Sequence, residues 1–274
     1  MKILGPRDFY DDLARDYHLI FEDWNASVRR QGAIIHSLLG GKPQRVLDVA
    51  CGMGTQALGL AQLGHLVTAR DLSQGLVDRA REEAQRLGVA LDVSVGDMRT
   101  SQPADHGAFH AVIAFDNALP HLETDADLTA AMVAAHSALR PGGKFLASVR
   151  DYDALVRQRP RCDPLRRFGA GSEERVVLQL WDWDSDGRGY QLQHITLVPD
   201  GYREWQTRTR RAHYRALLRH ELSDIAAKTG FEDGQWIESE ASGFYQPIFV
   251  AAKPLASAAD AHAATVSPPC PPPS

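Results

Sequence analysis

The 274-residue sequence predicts an α/β fold: a doubly wound, mainly parallel seven-stranded sheet with an antiparallel β lid inserted late in the chain. Three observations predict it. Short apolar runs alternate with helical patterns from residue 44 to residue 150; several of those runs end on an acidic residue; and three consecutive strand patterns break the alternation after residue 175.

The elements follow in order. Phe9, Leu13, Tyr17, Ile20 and Phe21, then Val28, Ile34, Ile35, Leu38 and Leu39, recur at helical spacing and predict a mostly helical stretch over 8–40. The run Val46-Leu47-Asp48-Val49-Ala50-Cys51-Gly52-Met53-Gly54 reads as a buried strand that breaks into a glycine turn, with a helix from Thr55. Gly52 and Gly54 let backbone approach a ligand that a side chain would block, and the helix offers its positive end. Asp71, 23 positions after Asp48, stands where an acid grips two ribose hydroxyls, so the pair points to a nucleoside-bearing ligand. Helices are predicted near 73–87 and 125–139. Between them, Leu91 to Val95 forms a strand ending in Gly96-Asp97-Met98, and Phe109 to Phe115 one ending in Asp116-Asn117-Ala118-Leu119-Pro120-His121-Leu122. Arg140-Pro141-Gly142-Gly143-Lys144 stops the second helix and leads into a strand over 145–149.

Strands over 175–183, 189–198 and 203–213, separated by turns at 184–187 and 199–201, make the lid. A helix over 214–228 and strands over 231–239 and 244–252 complete the sheet with an antiparallel edge hairpin. The expected organisation is a helical cap (1–43), a core (44–150 and 214–253), a substrate-binding lid (151–213) and an Ala, Ser and Pro-rich tail (254–274) that cannot bury a core and is expected to be disordered.

Composition narrows the function. The net charge is −5, from 30 Lys and Arg against 35 Asp and Glu, which disfavours a nucleic-acid partner. No apolar run approaches the ~18 residues of a membrane span, and the N-terminus lacks a signal-like apolar stretch, so no membrane partner and a cytoplasmic location are expected. Cys51, Cys162 and Cys270 have no metal-ligand spacing; no metal site is expected. Arginines crowd 157–167 and 203–219, in the part read as recognising substrate, so an anionic group on the substrate is one reading and solvated surface arginines the other. The lid also carries Trp181, Trp183, Tyr190, Tyr202 and Trp205.

The run Asp48-x-Ala50-x-Gly52-x-Gly54 resembles motif I of the class I S-adenosylmethionine (SAM) dependent methyltransferases, with alanine in the first glycine position. Asp48 to Gly52, Asn117 with His121-Leu122, the Arg140 to Gly143 turn and Arg150-Asp151-Tyr152-Asp153 look like the glycine/sarcosine N-methyltransferase family over most of residues 8–252. The resemblance implies a Rossmann-like methyltransferase fold and SAM as cofactor, leaving as S-adenosylhomocysteine. It implies cofactor binding by Asp48, Ala50, Gly52, Asp71, Leu72, Asp97 (to the adenine amino group), Met98 (on the ring) and Asp116. From the family's N-terminal leader it adds Tyr17 and Trp24, with Tyr10 toward the sulfonium. It implies substrate binding by Asn117 and Arg150, the arginine holding a carboxylate. His121 is the candidate general base, with a hydrogen-bonding role in the pocket as the alternative; His213 and Tyr214 are weaker candidates to face substrate.

The expected reaction is direct in-line transfer of a methyl group to a small molecule, most simply the amine of glycine, sarcosine or a related amino compound. The alternatives are N-, C- or O-methylation of an aromatic or alkaloid acceptor, favoured by the lid aromatics, and a catalytically silent SAM-binding subunit. Self-association into a homo-oligomer is left open. The segment Asp116-Asn117-Ala118-Leu119 lacks the N/D/S-P-P-Y/F loop of enzymes that methylate exocyclic amines of DNA bases.

Overall fold

The computed structural model describes residues 3–201 and 204–255. Tyr202, Arg203, Cys270 and nearly all of the expected tail lie outside the described residues.

The chain opens with α1 (Pro6–Leu13), a short 3-10 turn (Tyr17–Ile20) and α2 (Trp24–Leu38), which Asp23 caps by accepting the Ala26 N–H at 2.9 Å. Five parallel strands follow with their helices: β1 (Arg45–Asp48), α3 (Thr55–Gln62), β2 (Leu66–Asp71), α4 (Gln74–Leu87), β3 (Asp92–Val95), β4 (Phe109–Ala114), α5 (Asp125–Ala138) and β5 (Leu139–Ser148). Ser73 caps α4, Gly88 ends it in the left-handed conformation, and Thr124 caps α5. Then come α6 (Tyr152–Gln158), β6 (Arg166–Phe168), β7 (Arg175–Trp183), β8 (Gly189–Asp200), β9 (Glu204–Arg215), α7 (Arg219–Lys228), β10 (Glu232–Ile237), α8 (Ser239–Ser242) and β11 (Ile248–Ala252).

The main sheet runs β10-β11-β5-β4-β1-β2-β3, with β11 alone running against the direction of the others, and β6-β7-β8-β9 form a second, antiparallel sheet. Chain order reverses between β1 and β4, so the crevice at the carboxyl ends of those strands is the topological switch point, where ligands bind in open α/β sheets. Val46, Ala111, Val112, Ile113 and Leu146 are fully buried, as strands covered on both faces require.

Four of the differences from the sequence reading have a clear physical reason or consequence. β5 begins at Leu139, so Pro141 and Gly142 lie within a strand rather than a turn. Gly142, at φ 74°, bends that strand while its N–H bonds Lys253 O at 3.0 Å, and the β4–β5 register shifts beside it. The second sheet has a fourth strand, β6, too short to show alternation. Tyr214 and Arg215 extend β9 instead of starting a helix, because Tyr214 pairs with Tyr190 and stacks on its ring at 5.6 Å. The strand expected from residue 244 starts at Ile248.

The N-terminal helices sit against the core through a close approach of α2 and α3. A Cβ on Gly59 would fall 2.3 Å from Val28 O, and one on Gly32 2.6 Å from Gly59 Cα, so only glycine permits this spacing.

Candidate active site

Five strand ends converge on the switch point. Asp48 closes β1, Asp71 closes β2, Asp97 follows β3, Asp116 follows β4 and Arg150 follows β5. Two cavities open there. One, of about 340 Å³, lies over the glycine turn; the other, of about 1090 Å³, lies between the N-terminal helices, the second sheet and the ends of β4 and β5. Tyr10, Tyr17 and Asp116 line both, so the cavities meet at these three residues.

Of the residues expected to hold the cofactor, Tyr17, Ala50, Gly52, Asp71, Leu72, Asp97, Met98 and Asp116 line the smaller cavity. Gly52 and Gly54 adopt φ 55° and 93°, the turn that glycine makes without strain. A Cβ on Gly52 would point toward Tyr17, 3.7 Å from its hydroxyl, narrowing the cavity. The buried Asp71 carboxylate accepts the Gly52 N–H at 2.8 Å and the Ser73 N–H at 2.9 Å, which aims it and leaves a lone pair on each oxygen. Burial pushes its pKa up, against those two hydrogen bonds.

Two expected cofactor residues are placed elsewhere. Trp24 is buried against Val28, Met53, Leu58 and Leu76, and its indole N–H bonds Thr55 Oγ1 at 3.2 Å; it braces the start of α3 and lines neither cavity. Its helical spacing is that of a core residue. Asp48 is likewise enclosed beneath the turn: Oδ1 accepts the Ala50 N–H at 3.2 Å, Oδ2 has no partner, and burial pushes its pKa up to about 8. It shapes the loop from below.

Asp97 sits on the wall with its carboxylate held by Arg99 at 2.6 Å, and Arg99 also reaches Asp127 at 2.6 Å. The Arg99 hydrogen bonds pull the Asp97 pKa down despite partial burial. Sequence reading missed Arg99, whose role depends on an acid 28 residues further along the chain.

Asp116 and Asn117 both hold positive φ, 56° and 65°, which Asp and Asn tolerate better than most residues. Asp116 Oδ1 accepts from the Tyr245 hydroxyl at 2.5 Å and Oδ2 from Gln56 Nε2 at 2.7 Å. Asn117 Oδ1 accepts the Arg150 N–H at 3.1 Å and its amide donates to the Tyr152 hydroxyl at 3.0 Å, tying the ends of β4 and β5 together.

Arg150 and Asn117 line the larger cavity. The Arg150 guanidinium donates to the Tyr190 hydroxyl at 2.7 Å and to Gln179 Oε1 at 2.9 Å, and lies 4.8 Å from the Trp181 ring centroid. Among the described residues no carboxylate pairs with it. Gln179, Trp181 and Tyr214 join it on the wall from β7 and β9.

His121 lines only the smaller cavity. Its Nε2 bonds the Tyr10 hydroxyl at 2.9 Å, and that hydroxyl lies 3.3 Å from Tyr214 Oη. Burial, with the Arg150 charge, pulls its pKa down to about 3, so it is neutral at pH 7 but a weak base. His213 lines neither cavity; it pairs with Asp184 at 2.9 Å and Glu123 at 3.4 Å.

Four arginines of the second cluster are held by carboxylates. Arg208 pairs with Asp16, Arg210 with Asp12 (2.7 Å) and Asp16 (2.8 Å), Arg215 with Asp125 and Glu221, and Arg219 with Glu238. Of the two clusters, only Arg166 reaches a wall of the larger cavity among the described residues.

Comparison with known proteins agrees with this architecture. A family model described as "Methyltransferase domain" matches residues 46–143. The chain is 28% identical over 153 residues to a glycine/sarcosine N-methyltransferase of Halorhodospira halochloris, covering 56% of this chain and 54% of that protein. It is 39% identical over 104 residues to a ubiquinone biosynthesis O-methyltransferase of Xanthomonas axonopodis pv. citri, covering 38% and 42%. The chain thus spans about half the length of these relatives. The SAM-bound structure of CalS10, an amino pentose methyltransferase from Micromonospora echinaspora, superposes with a TM-score of 0.66 at 21% identity, covering 87% of this chain and 95% of that one. Residues 46–143 thus match a methyltransferase domain, and the chain shares its fold with a SAM-bound methyltransferase.

Proposed function

We propose that this protein transfers a methyl group from SAM to the amine of a small molecule that also carries a carboxylate, an amino acid or a close analogue. One observation carries the reading: the larger cavity presents an arginine, Arg150, and an aspartate, Asp116, neither of which is paired with an opposite charge among the described residues. Uncompensated charges beside a cavity are costly unless a ligand completes them. A zwitterion does so, its carboxylate on Arg150 in the bidentate geometry that guanidinium favours, its amine toward Asp116.

The smaller cavity fits the cofactor. Asp71 would hold the ribose hydroxyls, the turn at Gly52 the methionine part, and Asp97 with Met98 the adenine. When bound, SAM supplies a methyl group on a sulfonium, an already activated leaving group. The chain's own task is to align the acceptor and exclude water at the junction lined by Tyr10, Tyr17 and Asp116.

The cavity volume favours a second, wider reading. About 1090 Å³ is the scale of a drug-sized ligand site. With Phe9, Phe21, Phe168 and Trp181 on its walls, it suits an aromatic or otherwise bulky acceptor better than glycine alone.

The test is mass-resolved product analysis with methyl-deuterated SAM, offering glycine, sarcosine, aromatic amino acids, and aromatic amines and phenols without a carboxylate. Label in amino acids, lost on Arg150→Met, is the expected result. Label only in acceptors without a carboxylate rules the zwitterion out and makes the aromatic walls decisive. SAM binding without turnover on any acceptor rules out the enzyme.

A further inference from the structure

We infer that Asp116, and not His121, takes up the proton that the acceptor atom releases. This deepens the methyltransferase reading and rests on it. Asp116 is an acid lining both cavities, so its carboxylate borders the junction through which a methyl group must pass. His121 lines only the cofactor side, and its Nε2 is occupied by the Tyr10 hydroxyl at 2.9 Å.

The surroundings of Asp116 suit a proton acceptor. Its partners, Tyr245 at 2.5 Å and Gln56 at 2.7 Å, are neutral donors, one to each oxygen, so each oxygen keeps a free lone pair. Gln56 is itself held by Gln31 Oε1 at 2.7 Å, which fixes the carboxylate from the core side. No arginine, lysine or histidine pairs with Asp116 among the described residues, and such a pair would have lowered its basicity. Burial raises its pKa from the ordinary carboxylate value, whereas that of His121 falls to about 3. Besides His121, the titratable groups around the junction are Tyr10 and Tyr17 from the N-terminal segment, Asp48 beneath the turn, Asp71 at the end of β2, Arg150 after β5, Tyr214 of β9 and Tyr245 before β11; burial raises the pKa of each of the four tyrosines and keeps them neutral. The positive φ at Asp116 and Asn117 is the backbone cost of presenting this carboxylate at the strand end.

For an amine the step balances. An N–H bond of the acceptor ammonium breaks and its proton passes to an Asp116 oxygen, leaving the electron pair on nitrogen. The nitrogen then forms the N–C bond to the methyl carbon as the C–S bond breaks, and that electron pair stays on sulfur. The carboxylic acid returns its proton to solvent through the open cavity. A hydroxyl acceptor would give its proton to the same oxygen.

The test compares wild type, Asp116→Asn and His121→Gln in three readouts. In Asp116→Asn kcat is expected to fall at least about 100-fold near neutral pH and the acid limb of the profile to move up toward the pKa of the acceptor amine, so that activity is partly recovered at high pH. The limb is expected to persist in His121→Gln. Without turnover, ¹³C-carboxyl NMR of aspartate-labelled, cofactor-free protein is expected to show a carboxyl titrating above the usual range that is missing from Asp116→Asn. Calorimetry of acceptor binding in two buffers is expected to show proton transfer altered by Asp116→Asn. An unchanged acid limb and kcat within about threefold in Asp116→Asn, or the upward move of the limb in His121→Gln instead, would overturn the inference. Should wild type methylate only hydroxyls, the amine reading falls alone, and the same profile still decides the role of Asp116.

Discussion

The two cavities are built by different rules. Walls of the smaller one come from consecutive βα units, each placing a turn glycine or an acid within a few positions of a strand end: Gly52, Asp71, Asp97, Asp116. Walls of the larger one come from α1, the 3-10 turn, α2, the ends of β4 and β5, and β7 to β9, brought together from opposite ends of the chain. The first is a property of a repeating local unit. The second is a property of how that unit, the N-terminal helices and a second sheet dock, so it can diversify in acceptor while the first stays constant.

Separating the two experimentally starts with Arg150→Met. Losing a bidentate charge-assisted pair of about 4 kcal/mol would lower kcat/KM for a carboxylate-bearing acceptor by about 1,000-fold. SAM affinity by calorimetry is expected to stay within about twofold, and a large drop in it would mean that the cavities are not independent.

The docking itself is tested by Asp16→Ala. Asp16 is buried and holds Arg208 and Arg210 of β9 against the N-terminal helices. Removing it strands buried positive charge and is expected to cost about 3 kcal/mol in urea unfolding. A surface-like cost of about 0.5 kcal/mol would show that the cap is not clamped this way.

On the cofactor side, Asp71→Ala is expected to weaken SAM binding about 30-fold, near 2 kcal/mol for hydrogen bonds to a charged acceptor, while leaving acceptor binding unchanged. Equal losses in both would erase the distinction.

Smallest per residue and per pH unit is an effect of pH. His194, on the wall of the larger cavity, and His121, on that of the smaller, have pKa values drawn down to about 4 and about 3 by burial. As pH falls below 6.5 the unfolded chain takes up these protons and the folded one does not, so their stabilisation is full above 6.5 and lost progressively down to about 4 and about 3. Each contributes a slope of about 1.4 kcal/mol per pH unit in that window. Asp48, held protonated up to about 8, acts in the opposite sense, favouring the folded state as pH falls from 8 toward 4. The difference between wild type and a His121→Gln, His194→Gln variant, measured by urea unfolding at pH 7 and 5, isolates the histidines. Parallel curves would place both rings in contact with solvent.

Legibility followed the same division. The glycine turn and the acids at strand ends could be read because each depends on neighbours within a few residues. Trp24 misled: its helical spacing is equally that of a core residue, and the structure uses it as one. The arginines of β9 read either as facing an anionic substrate or as solvated, yet Arg208 and Arg210 find carboxylate partners almost 200 positions away, where no local pattern points. Tyr214 was legible as a candidate to face substrate but not as a strand residue, since its partner Tyr190 decides that. Tyr245 and Gln56, which hold Asp116, carry no sequence signal at all.

By itself, then, the sequence determined the alternation of strands and helices in the core, the glycine turn and the row of carboxylates at the switch point, because backbone conformation and the alternation of buried and exposed residues are set by near neighbours. Only the tertiary structure decided which residues face the larger cavity, that Arg150 and Asp116 pair with no opposite charge among the described residues, and that His121 turns to Tyr10. Burial and pairing of charges depend on contacts between segments far apart in the chain, and those exist only once the layers have packed.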